Sequence, residues 1–182
     1  MQLRAAGRAI AIAALLLCAL PGTAADRSLE YAVKATFLYK FAPFVEWPSS
    51  AFEQSNAPFV LCIVGNDPFA DSVEKTIASQ RVGDHPIILR RLAVADPKAG
   101  CHLLFAAGSP AQTVAEELDT VRGAPTLTVT DSGDPTPGII QFVVIDGRVN
   151  FDIDAAAAAA NHLTISSKLL ALAHSVTQGA RR

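Results

Sequence analysis

Residues 58–69 read Pro-Phe-Val-Leu-Cys-Ile-Val-Gly-Asn-Asp-Pro-Phe, and this junction decides the fold. The apolar part is short, rich in β-branched side chains and closed by glycine, so it reads as a strand over 58–64. Asp67 and Pro68 then suit the cap and first position of a helix over about 68–79, where proline has no N–H to lose. The same alternation continues downstream. Residues 86–92 read as a second strand and 102–106 as a third. Ser109-Pro110 opens a helix to about 121, and Thr126 to Thr130 is a fourth strand. Strands alternating with helices predict a mostly parallel sheet with helices on both faces.

The pattern changes at Gly138. Two apolar runs, 138–145 and 148–153, flank Asp146-Gly147. That dipeptide is a strong hairpin signal, because the tight turn needs positive φ at both central residues. Asp154 caps a helix built on Ala155 to Ala160, with Asn161 and His162 as its terminators. Ser166 or Ser167 caps a last helix carrying Leu169, Leu170, Ala173 and Val176. The expected architecture is a single-domain α/β sandwich over residues 26–176. Its sheet has about six strands, mostly parallel, and ends in an antiparallel hairpin. Residues 177–182 form a tail.

Upstream lies Tyr31 to Pro48, YAVKATFLYKFAPFVEWP. Val33, Phe37, Phe41 and Phe44 recur at helical spacing, and Tyr31, Leu38 and Val45 form a second apolar face. A helix apolar on two faces needs two things to pack against. One is the domain's own core; the other is a partner subunit, which predicts a homodimer. Trp47-Pro48 ends the helical pattern, since the residue before proline avoids the helical region.

Residues 1–25 read as a secretory signal, with Arg4 and Arg8, an apolar run from Ala9 to Leu20, and small residues to Ala25. The run is shorter than the ~20 apolar residues of a membrane span. The exported chain has no further span and is expected in the periplasm. Removing Arg4 and Arg8 from the 15 basic residues leaves 13 against 17 acidic ones, a net charge of −4. No basic stripe exists, which argues against nucleic acid as a partner. Cys18 goes with the signal. Cys62 and Cys101 remain, and an oxidising compartment with an even count predicts a disulfide between them. The alternative is two buried free thiols in neighbouring strands. The four histidines are scattered and no Cys-x-x-Cys occurs, so neither a metal site nor a cofactor is expected.

The segments VKATFLYKFAPFVEWP, LCIVGNDPF, Cys101-His102-Leu103-Leu104-Phe105, LTVTD at 127–131, PGII at 137–140, FDID at 151–154 and ISSKLLALA at 165–173 resemble, in order and spacing, the YfiR family. The resemblance covers about residues 31–176. It departs at Pro137, where the family commonly has glycine, and at Asp154, where it usually has asparagine. The sequence also cannot form a second, later disulfide found in the best-studied member. The resemblance implies a periplasmic repressor. Such a protein binds the sensor domain of an inner-membrane diguanylate cyclase, restrains cyclic-di-GMP production and biofilm formation, is sequestered by an outer-membrane lipoprotein, and is dimeric.

No nucleophile elbow, dinucleotide fingerprint or zinc-protease motif is present, so no catalytic residue is assigned. Asp67 and Asp131 fall at the carboxyl ends of predicted parallel strands, where open α/β sheets place ligands. A helix cap and a turn account for both. They leave room for a second reading, a periplasmic small-molecule sensor feeding a membrane receptor. His102 beside Cys101 is a candidate to tune a thiol, against an ordinary strand-end role. Two partner surfaces are expected. One is the cluster of Glu46, Trp47 and Phe52 beside Phe44, where aromatic anchors stand next to a charge. The other is Ile140, Asp152, Asp154 and Lys168, charged groups beside apolar ones.

Overall fold

The computed structural model describes residues 24–52, 54 and 56–179. The expected signal segment lies outside them up to residue 23, as do residues 180–182 of the tail. Helix α1, Ala24–Phe41, runs through a 3-10 turn into the short strand β1, Val45–Glu46. Strand β2, Phe59–Val64, is followed by α2, Ser72–Ile77, then β3, Arg81–Val82, and β4, His85–Leu92. Next come β5, Leu103–Ala106, α3, Val114–Thr120, and β6, Leu127–Thr130. The hairpin of β7, Ile140–Ile145, and β8, Arg148–Asp154, leads into α4, Ala155–Ala160. The chain closes with β9, Thr164–Ile165, α5, Ser167–Leu170, and β10, Ser175–Thr177.

Eight strands form one sheet in the order β10-β8-β7-β6-β5-β2-β4-β3. Pairing from β4 through β2, β5 and β6 to β7 is parallel, β7 and β8 form the expected antiparallel hairpin, and β10 adds parallel to β8. Asp146 and Gly147 adopt φ of 50° and 72°, the mirror-image turn that a two-residue hairpin requires. All six residues of β2 are buried, as a central parallel strand covered on both faces must be. Its alternate side chains feed two cores. Phe59, Leu61 and Ile63 pack with Ala35, Leu38 and Phe41 of α1 and Val73 and Ile77 of α2. Val60, Cys62 and Val64 pack with Leu104, Val114 and Val121 on the other face.

The sheet is larger than about six strands, because β3 and β10 are short edge additions with no strand signature of their own. Val176 lies in β10 rather than in the last helix, which is a single turn capped by Ser166 Oγ on the Leu169 N–H. Two helix starts also move. Asp67 Oδ1 accepts from the Phe69 N–H at 2.7 Å, closing a turn, and α2 begins only at Ser72. Ser109-Pro110 forms a turn as well. The true cap of α3 is Thr113, whose side chain accepts from the Glu116 N–H while Glu116 accepts from the Thr113 N–H. Asp154 does cap α4, accepting from the Ala157 N–H at 2.8 Å. Cys62 and Cys101 form the disulfide, with Cα atoms 5.7 Å apart.

Candidate functional site

The carboxyl ends of β2 and β5 mark the point where the sheet's connections diverge, since β2 leads toward β4 and β5 toward β6. Open α/β sheets bind ligands at such a point. Here the crevice is closed at its base by the chain itself. A Cβ on Gly65 would stand 2.4 Å from the Gly108 carbonyl oxygen, so only glycine allows the two loops to touch. The Asn66 N–H donates to that same oxygen at 2.9 Å. Beside the contact lies Glu117 of α3, wholly buried. Its Oε2 accepts from the Gly108 N–H at 3.2 Å, and its Oε1 has no partner. Burial pushes this carboxyl up to about 7, with the Asp134 charge adding to the rise.

Above the same edge, Asp131 is saturated. Its Oδ2 accepts from the Tyr31 hydroxyl at 2.8 Å, and its Oδ1 accepts from Lys34 and from the Ser132 N–H. Lys34 is fully buried and is held by Glu30 and Asp131 together. Burial, then the Asp131 hydrogen bond and charge, raise the Tyr31 phenol well above its usual value. Asp67 is engaged too, through the Phe69 N–H and Arg91 Nε. Both carboxylates therefore fasten elements together: Asp131 ties α1 to the end of β6, and Asp67 ties the β2 exit to β4. A cleft of about 330 Å³, lined by Tyr31, Asn66, Pro68 and Asp131 among others, stays open over this edge. Among the described residues, no group of three or more His, Cys, Asp or Glu side chains could hold a metal ion.

The expected partner residues are partly brought together. Strand β1 pairs with β9, Glu46 facing Thr164, while the Ser166 N–H ahead of α5 donates to the Phe44 carbonyl; Glu46 and Lys168 are both exposed. Trp47 packs edge-on against Phe59 at 5.4 Å between centroids, half-buried, with its Nε1 unpartnered. Phe52 is half-buried and sandwiched between His85 and His102, at 4.1 and 4.3 Å. The second set does not form one surface. Ile140 is wholly buried between Val129 and Ile153, because it faces inward on a hairpin strand covered on that side. Asp152 and Asp154 sit on β8 beside β10, and Asp154 is engaged as the α4 cap.

A groove of about 660 Å³ runs between α1 and the β7–β8 hairpin and is lined by Leu29, Val33, Phe37, Val144 and Val149, together with Glu30 and Arg148. Leu29, Val33 and Val144 are exposed. Phe41 belongs with Leu38 in the core, whereas Val33 turns outward, so the two faces of α1 divide differently from the periodicity. Leu29 and Val144 were not among the expected residues. The only signal for Leu29 is its spacing of four from Val33, and Val144 is one valine among several on an alternating strand.

The YfiR/HmsC-like family model, DUF4154, matches residues 31–174. The chain belongs to this family. The YfiR/HmsC-like proteins are periplasmic regulatory domains of cyclic-di-GMP signalling and not a known enzyme class. The matched span runs from Tyr31 of α1 to His174 before β10, and so takes in the Lys34–Asp131 tie, the disulfide and the β1–β9 ribbon. A search of curated proteins returns no significant match. No helix among the described residues is long and apolar enough to cross a membrane.

Proposed function

We propose that this YfiR/HmsC-like protein is exported through residues 1–25 and binds the periplasmic sensor domain of an inner-membrane signalling enzyme of the diguanylate cyclase type. It holds that enzyme in its less active state, lowering cyclic-di-GMP and biofilm formation. Family membership over residues 31–174 carries the reading. The saturation of Asp67 and Asp131 supports it, since groups committed to holding the fold are poor acids or bases for chemistry. The receptor contact is assigned to Glu46, Trp47, Phe52 and Lys168, with a second contact at Asp152 and Asp154. The apolar groove of Leu29, Val33 and Val144 is assigned to a second copy of the chain. An outer-membrane lipoprotein is a further partner for relief of repression. Crosslinking and recovery of the tagged, exported protein from its native envelope tests the reading. Capture of a membrane protein with a cytoplasmic cyclase output, and a rise in cyclic-di-GMP on deletion, is the expected result. No change on deletion together with no captured receptor would overturn it.

The open cleft beside Tyr31, Asn66 and Asp131 favours a second reading, a small-molecule sensor acting on the same receptor. A metabolite that raises the melting temperature saturably would support it, because a ligand that binds only the folded state stabilises by mass action.

A further inference from the structure

His102 occupies an unusual position in the sheet. It precedes β5 by one residue, so no strand partner stands opposite the Val60 N–H there, and the imidazole takes that place. The Val60 N–H donates to His102 Nδ1 at 3.0 Å, while the His102 backbone N–H donates to the Val60 carbonyl at 2.9 Å. The other ring nitrogen, Nε2, lies 2.9 Å from the Ala51 carbonyl oxygen. A carbonyl only accepts and a backbone N–H only donates. These two partners therefore fix the neutral tautomer with the proton on Nε2. The ring is also the centre of a stack: Phe52 lies on one side at 4.3 Å and Phe59 at 5.2 Å, and Trp47 meets Phe59 in turn.

A second proton on this ring has to go to Nδ1, where it meets the Val60 N–H head-on. Either the hydrogen bond to Val60 or the ring's position must then be given up, and with it the bond to Ala51 and the stack on Phe52. We propose that His102 is a pH-operated clamp on the 3-10 turn Ser49–Ala51 and the Phe52 that follows it, loosening Trp47 and Phe52 as the medium acidifies. Among the described residues, the titratable group facing it is His85 of β4, stacked on the far face of Phe52 and bonded through Nδ1 to the Ala57 carbonyl oxygen at 2.6 Å. The turn contributes Ala51 and Phe52, β2 contributes Phe59 and Val60, and the chain before β5 contributes disulfide-bonded Cys101; none of these titrates. Burial is the main influence holding the His102 imidazole below its ordinary range, and a charge on His85 pushes the same way. The consequence for a receptor rests on the function proposed above, but the clamp itself is tested without any partner.

Trp47 is the only tryptophan in the chain and reports on the stack. Its fluorescence and acrylamide quenching, followed from pH 8 to pH 4.5 with far-UV circular dichroism alongside, should show a transition while the fold persists. The His102 Cε1–H resonance of the unaltered protein should titrate with the same midpoint, below the ordinary histidine range. His102→Asn keeps an acceptor for Val60 without a titrating group and should abolish the transition, whereas His85→Gln should retain it at a higher pH. A Trp47 transition that persists in His102→Asn, or a His102 resonance that titrates with no Trp47 response, would overturn the clamp. So would a His102 resonance that titrates at the ordinary value.

Discussion

Lys34 is the side chain with most at stake. A buried ammonium survives only when paired, and here Glu30 and Asp131 supply both charge and hydrogen bonds. Lys34→Met keeps the stem and removes the charge, leaving two carboxylates facing one another. It should lower unfolding stability at neutral pH by about 3 kcal/mol, the smaller end for a broken buried pair because both carboxylates keep some contact with water. Urea denaturation measures this, and an unchanged midpoint would mean the cluster contributes nothing. Glu117 behaves in the opposite sense. Its folded carboxyl is raised from 4.5 to about 7, so the folded state holds a proton that the unfolded state has released. The stability this contributes is present below about 4.5 and is lost as pH rises toward 7. Glu117→Gln should therefore stabilise the protein relative to the parent, with a gain that grows from pH 5 to pH 8. Thermal melts across that range check the slope. A constant difference between the two proteins would show that Glu117 titrates normally.

At the scale of elements, the disulfide and the His102 contacts bind the same two chain segments, β2 and the approach to β5. The bridge closes a sequence separation of 39 residues that includes α2, β3 and β4. Opening it frees that loop in the unfolded chain, a cost of about 4 kcal/mol in the chain-entropy account. Cys62→Ser should lose about that much under oxidising conditions and nothing further on adding reductant, whereas the parent should fall to the same level when reduced. Equal melting of parent and variant before reduction would contradict the account. The helix starts teach a related lesson. Asp67-Pro68 and Ser109-Pro110 carry good capping chemistry, yet each closes a turn and the helix begins several residues later. Local sequence specifies that the chain turns there. It does not specify when the turn becomes a helix, because that depends on which residue first meets the sheet.

At the scale of the whole molecule, the groove between α1 and the β7–β8 hairpin leaves Leu29, Val33 and Val144 exposed, and we assign it to a second copy. Leu29 and Val33 are 67% and 38% exposed, so charging them disturbs no core. The Leu29→Glu, Val33→Glu protein should keep its fold by far-UV circular dichroism, since surface changes typically cost about 0.5 kcal/mol or less, and should lose only the stability that dimerisation adds. It should sediment as a monomer where the parent sediments as a dimer. A parent that is itself monomeric at micromolar concentration would remove the groove from the dimer account.

The sequence by itself determined the alternation of strands and helices, the Asp146-Gly147 hairpin and the Asp154 cap, because each rests on residues close together in the chain, and the family, because its motifs recur in order and spacing. It also paired Cys62 with Cys101, from compartment and number alone. The tertiary structure decided the rest. Short edge strands such as β3 and β10 exist only because a neighbouring strand offers unpaired backbone groups. Ile140 faces inward because the pleat and register of its hairpin put it there. The contacts of Lys34 with Asp131, and of His102 with Ala51 and Val60, join residues 97, 51 and 42 positions apart. No local pattern encodes such pairs, since what brings them together is the packing of α1 and the Ser49–Ala51 turn against the sheet that holds β2.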